Sequence, residues 1–214
     1  MLDHEGGPER NPSPVTVVHA LVFGNLVVFL LWIWPQIPAP LMAEHFLVSW
    51  EHLGEGRLWV LLTAVFSHVM ALHLLINMIV LMSFGPPLER LMGPGGFLAL
   101  FLLAGLMGSL AHVGTSRFLM DRGDLPALGA SGAIAGVLLV FSLAFPKAKV
   151  LLFFILPVPA IVAALGFIGI DIWGLITQIE GEGLPIGHGA HLGGAFTGIL
   201  YYLLRGKALK EQQG

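Results

Sequence analysis

Gly129-Ala-Ser131-Gly132-Ala-Ile-Ala-Gly136-Val-Leu-Leu-Val-Phe-Ser-Leu-Ala-Phe145 contains no charged residue, and Ser131 follows its opening glycine by two positions. A run this apolar is a membrane-spanning candidate, since crossing a bilayer takes about 20 mostly apolar residues. Working outward, similar stretches recur at Val15–Trp34, Leu72–Leu88, Gly95–His112, Val150–Ile176 and Gly187–Leu204. Leu58–Phe66 is also apolar, but Ser67, His68 and His73 follow closely, so it reads as a loop element at the membrane surface. The expectation is an all-α membrane protein of six transmembrane helices, forming one domain over 15–204. Polar tails flank it at 1–14 and 205–214.

Composition agrees. Of 214 residues, 56% are hydrophobic and 11% charged, with a mean hydropathy of +0.86. A soluble domain carries about a quarter charged residues. Cysteine is absent, which excludes disulfides, thiolate nucleophiles and cysteine-based metal centres. A net charge of −3 without basic runs argues against nucleic-acid partners. Met1–Pro14 lacks the basic start of a cleaved signal peptide, so the first span is expected to stay attached. The basic residues favour one side: Arg10, Arg90, Lys147, Lys149, Arg205, Lys207 and Lys210 against Arg57, Arg117 and Arg122. By the positive-inside rule both termini are cytoplasmic. The expected location is the plasma membrane of a prokaryote.

Polar groups at membrane depth are costly and mark function by default. Ser131 opens the fourth span, where free backbone N–H groups and the positive end of the helix dipole could receive an oxyanion. Taken alone, a serine among small residues more often serves helix packing, and Ala133 breaks the Gly-x-Ser-x-Gly pattern of soluble hydrolases. His191 opens the sixth span. Gly187, His191, Gly194 and Gly198 share one helix face, and Gly132 and Gly136 form a small face on the fourth helix. Together with Gly129, these small positions would let the helices approach until Ser131 and His191 meet at about 3 Å. His73 and Asn77 lie one turn apart on the second span, at the depth of Ser131 and His191. Alone they read as loop caps or as hydrogen-bond partners of a neighbouring helix. Jointly, the four groups supply a nucleophile, a base and oxyanion donors.

Other chemistries fare worse. The only His-Glu pair, His4-Glu5, leads into glycines rather than into His-Glu-x-x-His. Asp171 is the only carboxylate well inside a span, which leaves an aspartyl protease one acid short. A histidine metal site of His188, His191 and His73 stays open, with Asp171 as its one candidate acidic co-ligand. A channel or carrier would suit six spans, although no repeat or charged pathway supports it.

The set His73-Leu-Leu-Ile-Asn77, Gly129-Ala-Ser131-Gly132 and Ala190-His191-Leu-Gly-Gly194 resembles the rhomboid family of intramembrane serine proteases. Phe84-Gly85-Pro-Pro-Leu88-Glu89-Arg90 is similar to the family's pattern after the second span. The resemblance implies a Ser131 nucleophile and a His191 base acting as a dyad. His73, Asn77 and the Ser131 backbone N–H would form the oxyanion hole. It further implies single-span membrane proteins as substrates, cleaved in or near the bilayer without cofactor or metal. A lateral route past the fifth helix and a loop cap over the site belong to the same expectation. Asp171 resembles an acid of the late fifth helix and is left outside the catalytic set, since anchoring a loop would account for it as well. Trp59-Val60 departs from the family's frequent Trp-Arg, which puts the first loop's stability in question. A rhomboid-like protein that binds membrane clients without cutting them is the alternative.

Overall fold

The computed structural model describes residues 15–152 and 155–211. The expected N-terminal tail, His4 and Glu5 included, lies outside them. Helix α1 (Val17–Ile33) is followed by short helices α2 (Ala39–Phe46), α3 (Trp50–Gly54) and α4 (Val60–Thr63), and by a 3-10 turn at Ala64–Phe66. The long helix α5 (Ala71–Phe118) leads to α6 (Ser131–Ala144) and to a hairpin of β1 (Lys149–Leu152) and β2 (Leu156–Pro159). Helices α7 (Ala160–Ile179) and α8 (His188–Glu211) complete the described chain.

The molecule is mostly helical, and α5 and α7 are long and apolar enough to cross a membrane. Helices α1 and α6 are shorter apolar helices. The expected second and third spans form one helix, α5, kinked at Gly93, whose φ of 75° and ψ of 163° leave helical space. Such a φ is open to glycine because it has no Cβ, and Pro94 cannot donate back across the break. The fifth span starts later than its apolar run. Pro157 and Pro159 sit in β2, and helix begins only at Ala160. The last helix continues through Arg205 to Glu211, where a tail was expected.

Helices α5, α6 and α8 pack closely together, and α7 stands at the periphery. The main core joins Leu81, Leu88, Phe97, Leu100 and Phe101 of α5 to Ala133, Val137 and Val140 of α6, with Val18 of α1. Large apolar side chains point outward from the periphery, among them Phe23, Leu165 and Trp173. In water that would be a liability; in lipid it is the matching surface.

The start of α1 is held by a charge. Glu89, 1% exposed, accepts from the backbone N–H groups of Thr16, Val17 and Val18 at 2.8, 2.9 and 2.9 Å. These are the donors that a helix start leaves unpaired. The first loop finds anchors without the expected Trp-Arg pair. The Trp59 ring stacks on His45 and its Nε1 donates to His45 Nδ1 at 3.2 Å. Trp32 Nε1 donates to Ser67 Oγ at 2.7 Å, and Val48 and Ala127 exchange backbone bonds of 2.9 and 2.8 Å. That last pair ties the loop to the segment leading into Ser131.

Candidate active site

Ser131 is the first residue of α6, after Ala130 in the cap position. The Ile134 N–H reaches Ala130 O at 2.9 Å, so earlier N–H groups of the turn are free of helical bonds. Gly129 has φ +115°, and a Cβ there would lie 2.7 Å from His73 Cε1. Its role is therefore a tight turn beneath an imidazole rather than the helix-packing one expected.

The helix approach occurs where small residues face each other. A Cβ on Gly198 would come 2.5 Å from Gly136 O, and one on Gly136 would come 2.8 Å from Gly194 O. Gly194 lies against Gly132 so closely that its Cβ would overlap the Gly132 carbonyl. Gly187 takes no part, since a Cβ there would meet only the Ala190 Cβ, at 3.6 Å. Gly108 and Gly193 do, although the sequence reading passed over them: a Cβ on either would come within 2.9 Å of backbone oxygen.

This packing brings His191 Nε2 to 2.8 Å from Ser131 Oγ. On the far side of the ring, Nδ1 lies 2.9 Å from Asp171 Oδ1. His188 Nδ1 meets the same carboxylate oxygen at 2.7 Å. A single imidazole tautomer satisfies both ends: the His191 Nδ1–H donates to Asp171, and the Nε2 lone pair accepts the serine proton. Asp171 and His188, read from the sequence only as possible metal ligands, are thus the neighbours of His191 that the catalytic set left out. Asp171 Oδ1 meets two histidines of α8, and His188 is where the loop after α7 enters that helix. The signal available was the standing of Asp171 as the one acid within a span.

His73 and Asn77 occupy the start of α5. The His68 and His73 rings are 4.9 Å apart, edge to face. Asn77 Nδ2 donates to His68 Nε2 at 2.8 Å, and the Ala130 N–H points at the same nitrogen from 3.5 Å. His68 therefore links the asparagine to the turn that carries the serine. An amide has two N–H donors, so Asn77 keeps one beyond its bond to His68. The metal set considered from sequence does not assemble as proposed. His188 and His191 converge with Asp171, whereas His73 packs on His68 and Gly129.

The fold and site define a class: a helical membrane protein with a serine hydrogen-bonded to a histidine at the mouth of packed helices. The Rhomboid domain family matches residues 55–208, and the chain belongs to the rhomboid family, whose members are generally intramembrane serine proteases acting on membrane-protein substrates. The chain is 35% identical over 191 residues to RHOMBOID-like protein 12, mitochondrial, of Arabidopsis thaliana, covering 84% of this chain and 55% of that protein. It is 34% identical over 205 residues to Rhomboid protein 1, mitochondrial, of Saccharomyces cerevisiae, covering 94% and 56%. It is 31% identical over 205 residues to Presenilin-associated rhomboid-like protein A, mitochondrial, of Danio rerio, covering 93% and 49%. The chain spans about half the length of these relatives. Their mitochondrial names, and the chloroplastic one of a further Arabidopsis relative, overturn the expectation of a prokaryotic plasma membrane and point to an organellar membrane. The assignment of both termini to the cytoplasm falls with it.

Proposed function

We propose that this chain is an intramembrane serine endopeptidase, cleaving single-span membrane proteins in or near their transmembrane segment within an organellar membrane. The observation that carries the proposal is the line of contacts Ser131 Oγ to His191 Nε2 at 2.8 Å and His191 Nδ1 to Asp171 Oδ1 at 2.9 Å. Six spans are assigned: α1, the two arms of α5 on either side of Gly93, α6, α7 and α8. Exposed α7 borders the route by which a substrate helix enters from lipid.

In the first step His191 Nε2 takes the Ser131 proton as Oγ attacks the scissile carbonyl carbon. Asp171 holds the ring and faces the imidazolium that forms. The Ser131 backbone N–H, His73 and the second N–H of Asn77 donate to the oxyanion. As the tetrahedral intermediate collapses, His191 returns the proton to the departing amine, leaving an acyl-enzyme on Ser131. Water, deprotonated by the same histidine, then hydrolyses the ester. No cofactor or metal enters the cycle.

The test is cleavage of a model single-span substrate in liposomes by wild type and Ser131→Ala. Cleavage by wild type alone supports the proposal. Equal cleavage by both removes the serine assignment, and cleavage by neither favours a client-binding protein of the same fold.

A further inference from the structure

Asp171 carries more hydrogen-bonding capacity than its duty to His191 uses. Its side chain is 4% exposed, both histidines share Oδ1, and the buried Oδ2 has no partner among the described residues. A buried carboxylate oxygen left unsatisfied costs stability. One ring nitrogen each of His188 and His191 and an oxygen of Asp171 lie within 4.8 Å of one another, and both Nδ1 atoms contact Asp171 Oδ1. Two imidazoles and one carboxylate form a ligand set suited to a borderline-soft divalent cation.

From this juxtaposition of Asp171, His188 and His191 we propose a site for a zinc-class divalent ion whose occupancy switches the protease off. The metal is an inhibitor here and takes no part in the reaction. Metal–ligand bonds of about 2.0–2.2 Å separate ligand atoms by more than the 2.7 and 2.9 Å of the metal-free contacts. The ion therefore replaces both Nδ1–H···Oδ1 bonds, and the idle Oδ2 is available to it. Each histidine keeps its proton, moved from Nδ1 to Nε2. For His191 the consequence is chemical: Nε2 then carries hydrogen where it faces Ser131, and the lone pair that would take the serine proton is gone. His188 ligates without contacting Ser131, so it can be changed without removing the base. The switching part of this inference rests on His191 being the base; the binding part does not.

Binding is read first, without activity, by titrating Co2+ into detergent-solubilised Ser131→Ala and following its visible absorption. One equivalent with the strong bands of low-coordinate cobalt, displaced by Zn2+, supports the site. Absence of those bands overturns it. His188→Gln should bind cobalt at least about tenfold more weakly, in line with losing a metal partner; equal binding overturns the ligand assignment. Where His188→Gln fails to fold, His188→Asn replaces it, with thermal unfolding as the check. In liposomes, Zn2+ should cut wild-type cleavage at least about tenfold, reversed by a chelator, while the cleavage rate of His188→Gln, measured against its own metal-free rate, stays unchanged on adding Zn2+. Site occupancy without loss of cleavage overturns the switch. If wild type cleaves nothing even without metal, the protease assignment fails, and the cobalt spectrum still decides whether the site exists.

Discussion

Gly194→Ala is the sharpest test of how the helices make the site. A Cβ at residue 194 would stand 2.6 Å from the Gly132 carbonyl carbon and overlap its oxygen. Non-bonded carbons settle at about 3.5–4.0 Å, so α6 and α8 must part by about 1 Å. Backbone meets backbone there, and no flexible side chain can swing aside. Gly132 adjoins Ser131, and Gly194 is one turn from His191. The separation therefore falls on the 2.8 Å contact between them, stretching it beyond the roughly 3.6 Å at which a hydrogen bond ceases to count. A misplacement of about 1 Å in a catalytic group costs about 10²-fold in rate, and forced overpacking costs about 1–3 kcal/mol of stability. The assay is kcat/KM for a single-span substrate in liposomes, with thermal unfolding measured in parallel. Gly198→Ala meets Gly136 O at 2.5 Å but lies two turns from His191, so it should lose comparable stability and less activity. Gly187→Ala, in ordinary contact at 3.6 Å, should stay within about twofold of wild type. A Gly194→Ala enzyme with wild-type kcat/KM, or a Gly187→Ala enzyme equally impaired, would refute the reasoning.

Two further outcomes follow from other contacts. Asp171→Asn offers His191 an amide in place of a carboxylate, so the tautomer is no longer enforced and the imidazolium faces no charge; kcat should fall about 10²-fold or more with KM little changed, and an unchanged kcat would return Asp171 to a purely structural place. Glu89→Ala removes the acceptor shared by the Thr16, Val17 and Val18 N–H groups, and should cost about 2–4 kcal/mol in detergent unfolding; an unchanged unfolding midpoint would show that water replaces the carboxylate.

The membrane character was legible in the sequence because apolar length is a local property: a helix in lipid must be apolar over its span whatever surrounds it. Ser131, His191, His73 and Asn77 stood out for a related reason, as polar groups are rare where hydration is costly. The start of α7 at Ala160 follows Pro157 and Pro159 directly, since the proline constraint acts within its own residue and turn. Three matters were decided only by tertiary structure. The contacts of Asp171 could not be read from spacing along one helix; positions 188 and 191 meet it only after α7 and α8 pack. Gly129 and Gly187 looked like members of the small-residue face, yet one is a positive-φ turn beneath His73 and the other precedes α8, where a Cβ would meet only Ala190. Helical periodicity names a face without saying what stands opposite it. The sequence by itself determined which residues the bilayer would not tolerate without a purpose. Only the close approach of α6 and α8, glycine against glycine, decided which atoms those residues reach, because a hydrogen bond depends on tenths of an ångström that no spacing along one helix can specify.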